Sequence, residues 1–427
     1  MITAKAFAGK HYAVYGLARS GLATVAALLA SGAKVTAWDD NLFPGDGRDP
    51  GRGEAAVPAA LDPGLRRGTE IANLNEIDLT QFDSLVVTPG LPLIRHPIAQ
   101  RARDAGVEII GDIELFSRAR PELPPHKVVG ITGTNGKSTT TALTHHILKT
   151  AGVPSEMGGN IGLPILAQDP LPEGGVYVLE LSSYQIDLTQ SLDCDAAYIL
   201  NITPDHLDRY ESFEDYGASK VRLFEMQSGG NFGWGHSADL LQKSYKPEDQ
   251  KLWPALQGPH NLQNVDVAKH ICRWLGLSDE MIEHGLRTYP GLPHRMERIR
   301  EKDGVLFVND SKATNPTATA PALAAFERIR WICGGQAKTD NLDECAPHFG
   351  HVVKAYTIGE AGEMFASLLS PHMDVAECVT LDEAVRTAAS EAQAGETVLL
   401  SPACASFDQF RDFEARGDAF RVAVGGL

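Results

Sequence analysis

The sequence predicts an α/β protein made of several units, each built on a largely parallel sheet, and three observations carry that prediction. Its 427 residues exceed what one hydrophobic core usually serves, so length argues for two or three domains. Short apolar runs alternate with helical patterns in the first third, the mark of βαβ units. At the centre, an apolar run leads directly into Gly133-Thr-Asn-Gly-Lys-Ser-Thr139 and then into a helical pattern. Hydrophobic residues at 43% and charged residues at 22% are those of an ordinary globular chain, which can bury sizeable cores and is not disordered overall.

In chain order, His11–Gly16 is predicted as a strand, Gly21–Ser31 as a helix and Lys34–Asp39 as a second strand. Residues 44–68 are rich in Gly, Pro and Arg without apolar periodicity, which predicts an irregular connection. The strand pattern resumes at Ser84–Gly90 and Val107–Gly111, and Pro121–Pro125 reads as a linker. Lys127–Thr132 is the strand before the glycine loop, with a helix after it through Lys149. Val176–Leu181 and Ala196–Ile202 are further strands that end in polar residues, the usual position of site residues in an open α/β sheet. Between Gln227 and Gly258 the pattern is too weak to assign. Beyond Gly291, strands at Val305–Asn309, Arg330–Cys333, Lys354–Ile358 and Thr397–Ser401 alternate with helices. Three α/β units result, with expected boundaries at 1–115, 116–290 and 291–427.

The net charge is −17, from 38 basic and 55 acidic residues, and such a field repels phosphate backbones and anionic membranes. The three segments carry −3, −7 and −7, so none is a basic nucleic-acid module. An anionic substrate would need a few placed cations. Cys194, Cys272, Cys333, Cys345, Cys378 and Cys404 show no CxxC spacing, which suits reduced thiols of a cytosolic protein and opposes a disulfide frame or structural zinc. The N-terminus lacks signal-peptide architecture, and the apolar stretch from Gly21 to Ala33 is shorter than the roughly 20 residues a membrane span needs. A cytoplasmic location is expected.

Gly133, Thr134, Asn135, Gly136, Lys137, Ser138 and Thr139 form the most informative stretch. A glycine-rich turn between strand and helix aims backbone N–H groups at an anion, and the helix N-terminus adds its positive field. Lys137 would reach terminal phosphates and the Ser138 hydroxyl suits Mg²⁺. The loop departs from GxxxxGK[ST], because Ile131 stands five before Gly136. A plain tight turn is the competing account, and the strand–loop–helix context disfavours it. Glu180 ends an apolar strand where a carboxylate could hold a metal, and His206 follows the next one. Gly16-Leu-Ala-Arg-Ser-Gly21 with Asp39 resembles a dinucleotide fingerprint. Its middle glycine is Ala18, which opposes a nicotinamide or flavin site but leaves room for a UDP-type diphosphate with Arg19 and Ser20 as donors. In the last third, Asp310-Ser-Lys-Ala-Thr314 and Ser401-Pro-Ala-Cys-Ala-Ser406 each follow a strand, and Arg295, Lys312 and Lys338 supply positive charge.

Together these motifs resemble those of the Mur ligases of peptidoglycan synthesis, over nearly the whole chain. The resemblance rests on Gly111-Asp-Ile-Glu-Leu-Phe116, Gly133–Thr139, Gly158-Gly-Asn-Ile-Gly-Leu-Pro164, Leu179-Glu-Leu-Ser-Ser-Tyr-Gln185, Gly291-Leu-Pro-His-Arg295, Asn309–Thr314 and Ser401–Phe410. The first, third and last select the branch that adds D-glutamate. The resemblance implies a Rossmann-like N-terminal domain for a UDP-sugar, a central P-loop ATPase domain and a Rossmann-like C-terminal domain for the amino acid. It implies ATP with two Mg²⁺ ions, and UDP-N-acetylmuramoyl-L-alanine and D-glutamate as the other substrates, in a monomer.

By the same resemblance, Arg19, Ser20, Asp39, Gly90 and Asn160 would contact the UDP-sugar, and the chain departs from its relatives at Asp40 and Asn41. Lys137 would hold ATP phosphates, and Asn264, Arg295 and Asp310 would bind adenosine. Ser138, Glu180, His206 and a carbamylated Lys220 would organise Mg²⁺. Lys312, Thr314, Lys338, Ser406, Phe407 and Phe413 would grip D-glutamate. Lys137, His206, Lys220 and Lys312 are the expected catalytic set. The rival readings are a related Mur ligase that uses L-glutamate, a folylpolyglutamate synthase, which lacks the N-terminal UDP domain, a nucleotide-binding regulator without catalysis, and a dinucleotide-dependent oxidoreductase.

Overall fold

Apolar runs such as His-Tyr-Ala-Val-Tyr can be buried on both faces only inside a parallel sheet covered by helices. The computed structural model, which describes residues 1–40, 42, 68–203, 209–229, 232–235 and 247–427, places that run as β1 (His11–Tyr15) at the middle of such a sheet. The chain divides into two compact units, Met1–Leu240 with His270–Met281, and Leu241–Lys269 with Ile282–Leu427. Among the described residues, the strands form three sheets.

The first unit holds two of them. One sheet has the order β3-β2-β1-β4-β5, with β2 (Lys34–Trp38), β3 (Thr69–Ile71), β4 (Ser84–Val87) and β5 (Glu108–Ile110), all paired parallel. Strand order reverses between β1 and β4, which is the place where open α/β sheets take their ligands. The other has the order β10-β9-β6-β8-β7, also parallel, with β6 (His126–Thr132), β7 (Ser155–Gly159), β8 (Gly175–Glu180), β9 (Ala196–Ile199) and β10 (Phe232–Gly235). One core runs through both sheets, from Tyr12, Val14 and Leu85 to Phe116, Tyr177 and Leu179.

The second unit has a six-stranded sheet in the order β11-β12-β16-β13-β14-β15. Its strands are β11 (Glu297–Lys302), β12 (Val305–Asn309), β13 (Ile329–Gly334), β14 (Val352–Ile358), β15 (Asp374–Val379) and β16 (Thr397–Leu400). Only the β11–β12 pairing is antiparallel. The loops after β12, β16 and β13 therefore stand side by side at one edge.

The α/β class and the parallel sheets agree with the sequence. The first helix starts at Arg19, two residues before the predicted Gly21. The strand predicted over Ala196–Ile202 stops at Ile199, because Asn201 turns toward the glycine loop and its carbonyl accepts the Thr134 N–H at 2.9 Å. β3, β7, β10, β11 and β15 were not predicted; β11 reads Glu-Arg-Ile-Arg-Glu-Lys because an edge strand is half exposed and charge protects it from pairing with another chain. β10 lies inside the stretch whose pattern was too weak to assign. Most of the predicted irregular connection, residues 44–67, lies outside the described residues. All six cysteines are free and buried. Among the described residues, no helix is long and apolar enough to cross a membrane.

Candidate active site

The glycine loop leaves β6 at Thr132 and enters the helix Lys137–Thr150. Gly133 and Gly136 have φ of 150° and 83°, and Gly136 is the helix N-cap in the left-handed region, where a side chain would be strained. Asn201 braces the loop from the end of β9: the Asn135 N–H donates to its Oδ1 at 2.8 Å, and its Nδ2 donates to the Asn135 carbonyl at 3.1 Å. Lys137 Nζ donates to the Gly133 and Thr134 carbonyls, each at 2.8 Å. Ser138 is buried in the first turn.

Lys220, on the helix Phe213–Glu225, is 1% exposed, and its Nζ donates to the same Gly133 carbonyl at 3.1 Å and lies 4.6 Å from the Tyr216 ring centroid. Both expected catalytic lysines of the first unit thus meet at one carbonyl. Glu180 closes β8, with Oε1 accepting from Asn160 Nδ2 at 3.0 Å. Its Oε2 is buried without a partner. A desolvated carboxylate oxygen that no donor satisfies is what a bound cation would complete, and a carboxylate oxygen is the kind of donor that Mg²⁺ takes. His206 lies outside the described residues.

At the carboxyl edge of the first sheet, a Cβ on Gly16 would fall 2.1 Å from Thr88 Oγ1, and one on Gly21 would fall 1.9 Å from the Gly16 carbonyl oxygen. Both ends of the predicted UDP loop are therefore fixed as glycine by packing. Asp39 Oδ2 accepts the Leu17 N–H at 2.6 Å, so the acid shapes the loop. Ser20 sits in the first turn of the helix that follows. Arg19 Nη2 donates to the Gly162 carbonyl at 3.0 Å, which brings it beside the turn carrying Asn160. The Gly90 carbonyl accepts from Arg209 Nη2 at 3.0 Å. Burial works against the Asp40 anion, but hydrogen bonds from Trp38, Tyr15 and His96 outweigh it and hold its pKa below the usual value. Asn41 lies outside the described residues.

In the second unit, Asn264 is buried, with Nδ2 donating to Asn261 Oδ1 at 3.0 Å. Arg295 is flanked by His294 and Met296, which have φ of 60° and 48°, a backbone costly for side-chain-bearing residues. Asp310 has both oxygens engaged, by the Met296 N–H at 3.1 Å and the Ser401 hydroxyl at 2.9 Å. Burial pushes its pKa up to about 7, against the opposing pull of Ser401, Met296 and Arg295. Lys312 Nζ lies 3.7 Å from the Phe413 ring centroid. Thr314 is half-buried, Ser406 buried, and Lys338 and Phe407 exposed. The β13 loop meets the β16 loop through a reciprocal pair, Gln336 N–H to Ala405 O at 3.0 Å and Ala405 N–H to Gln336 O at 2.9 Å. Asn201, Arg209 and Tyr216 were not anticipated; a polar residue at the end of the strand beside β6 was the available signal for Asn201.

Two family models match, the Mur ligase middle domain over residues 131–239 and the Mur ligase glutamate ligase domain over 294–404. The chain belongs to the Mur ligases, and within them to the UDP-N-acetylmuramoylalanine–D-glutamate ligases. The ligase of that name from Novosphingobium aromaticivorans is 58% identical, with 100% of this chain and 97% of the relative covered. That from Sphingopyxis alaskensis is 56% identical, with both chains covered at 100%. The crystal structure of UDP-N-acetylmuramate-alanine ligase from Thermotoga maritima shares the fold at a TM-score of 0.56 and 16% identity, over 98% of this chain and 99% of that one. A MurF ligase from the same organism, crystallised with ADP, aligns at a TM-score of 0.57 and 14% identity, over 98% and 96%.

Proposed function

We propose that the chain is an ADP-forming carbon–nitrogen ligase that joins D-glutamate to the alanyl carboxylate of UDP-N-acetylmuramoyl-L-alanine in peptidoglycan precursor synthesis. The observation that carries this is identity above half to D-glutamate ligases along the entire chain. A carboxylate is a poor electrophile, so its oxygen first attacks the γ-phosphorus of ATP, and ADP leaves. The amine of D-glutamate then adds to the acyl carbon of the acyl phosphate, the nitrogen loses a proton, and phosphate departs. No protein nucleophile is needed; positioning and charge neutralisation supply the catalysis.

Lys137 and the N–H groups of Gly133–Thr139 would hold the phosphates in this reading, and Asn264, Arg295 and Asp310 the adenosine. Ser138, Glu180 and His206, with Lys220 carbamylated, would hold two Mg²⁺ ions, which when bound would supply positive charge opposite the phosphate oxygens. The buried, unpartnered Glu180 Oε2 supports that assignment. Arg19, Ser20, Asp39, Gly90 and Asn160 would position the UDP-sugar. Lys312, Thr314, Lys338, Ser406, Phe407 and Phe413 would position D-glutamate, with cations and hydroxyls opposite its carboxylates. His206 or a bound water is the candidate to take the amine proton. Three domains at 1–115, 116–290 and 291–427, a monomeric state and a cytoplasmic location complete the proposal.

The test is ADP release in the presence of both UDP-N-acetylmuramoyl-L-alanine and D-glutamate. Release should need both acceptors, should not follow with L-glutamate, and should vanish in Lys137→Ala with the circular dichroism spectrum retained. Turnover by Lys137→Ala at the parent rate would refute the phosphate-loop assignment.

A further inference from the structure

Arg416 is a buried cation that nothing in the proposed chemistry uses. It lies on the helix Phe413–Gly425 and is 1% exposed. Its hydrogen bonds go to the loops after β12 and β16. Nε donates to Ser311 Oγ at 3.0 Å, Nη2 to the Ser311 carbonyl at 2.9 Å and the Cys404 carbonyl at 3.0 Å, and Nη1 to the Ala405 carbonyl at 3.1 Å. None of these acceptors is a carboxylate. Burial is unfavourable enough to bring the pKa of the guanidinium down to about 10.

A third loop closes on the same group. Gly335, after β13, has φ of 124°, and a Cβ there would lie 2.4 Å from the Ala405 carbonyl oxygen and 3.1 Å from Arg416 Nη1. The β13 loop therefore packs against the Ala405 carbonyl, one of the acceptors of the guanidinium, as closely as only glycine permits. These three loops carry Lys312 and Thr314, Lys338, and Ser406 and Phe407. A buried charge is costly, and an apolar side chain of the same length would fill the space for packing alone. A rigid planar fork that serves acceptors on separate loops at fixed angles is what a hydrocarbon or an ammonium cannot reproduce.

We propose that Arg416 is a positioning residue that sets the spacing of the three loops presenting the D-glutamate-binding side chains, and so controls affinity for the amino acid without touching it. This rests on assigning those loops to D-glutamate.

The experiment measures KM for each substrate in Arg416→Lys, Ser311→Ala and Lys338→Ala, with the melting temperature of each. Arg416→Lys should raise KM for D-glutamate about tenfold or more, since small misplacements of binding groups weaken binding steeply, and leave KM for ATP and the UDP-sugar within about twofold. Ser311→Ala removes only the Nε acceptor and should raise the same KM by a smaller factor; it carries the test if Arg416→Lys does not fold. An equal rise in all three KM values, or a fall in kcat that merely tracks the folded fraction, overturns the proposal. If Lys338→Ala raises KM for D-glutamate while the other two variants do not, the positioning role fails alone. If none of the three does, the assignment of the loops to D-glutamate fails with it.

Discussion

Asp310 shows how a single residue can be legible in a motif while its environment is not. The run Asp310–Thr314 after a strand marks a site loop, yet only the fold buries the carboxylate and engages its oxygens with Met296 and Ser401. Burial raises its pKa from 3.8 to about 7. The folded state therefore binds its proton more tightly than the unfolded chain, so the contribution of this group to stability falls as pH rises from 3.8 towards about 7 and is level above. An Asp310→Asn substitution, which leaves no proton to titrate, removes this slope. The change in melting temperature from pH 5 to pH 8 should then be more positive in the variant than in the parent, and an unchanged difference would place the slope on another group. Lys137, Ser138 and Glu180 were readable because a glycine loop or a strand end announces them. Arg416 was not: one arginine in a helical pattern reads as a solvated charge, and only three converging loops give it meaning.

Elements show the same division. Strands buried on both faces were found from their apolar runs, whereas short or charged edge strands such as Thr69–Ile71 and Glu297–Lys302 carry no such signal. The run Gly111–Phe116 was recognised as a motif without a physical role, and the helix Asp112–Ala119 supplies one. Glu114, 1% exposed, accepts the Gln190 and Ser191 N–H groups at 2.7 and 2.9 Å, the Ser191 hydroxyl at 2.9 Å and Arg118 Nε at 2.9 Å. The Gly111 N–H donates to the Leu188 carbonyl at 2.9 Å, and Ser117 Oγ to the Ser191 carbonyl at 2.8 Å. This clasp ties the end of the first sheet to the turn after the short helix Ser183–Asp187 that follows β8, within one unit. Glu114→Ala strips the partners from two backbone N–H groups and from part of the Arg118 guanidinium, and should cost about 3 kcal/mol. Urea unfolding would measure it, and a loss below about 1 kcal/mol would mean that water or Arg118 repairs the gap. If the clasp also orients the two sheets, KM for the UDP-sugar should rise in the same variant.

The charge of the whole molecule opposes its proposed chemistry. A chain at −17 is asked to bind a nucleotide triphosphate, a UDP-sugar and a dicarboxylate, all anions. Attraction must come from a few groups at short range: Lys137 on the glycine loop, Arg19 beside the Asn160 turn, Lys312 on the Phe413 ring, and helix N-termini. The two fields have different reach. General repulsion acts over the Debye length, about 30 Å at 0.01 M salt and about 8 Å at 0.15 M, whereas contacts within a desolvated site are screened far less. Raising NaCl between those limits at constant free Mg²⁺ should therefore weaken the repulsion more than the binding, and kcat/KM for the UDP-sugar should rise. A steady fall over that range would mean that the placed cations govern approach as well as contact, and that the acidic surface lies away from the path the substrate takes.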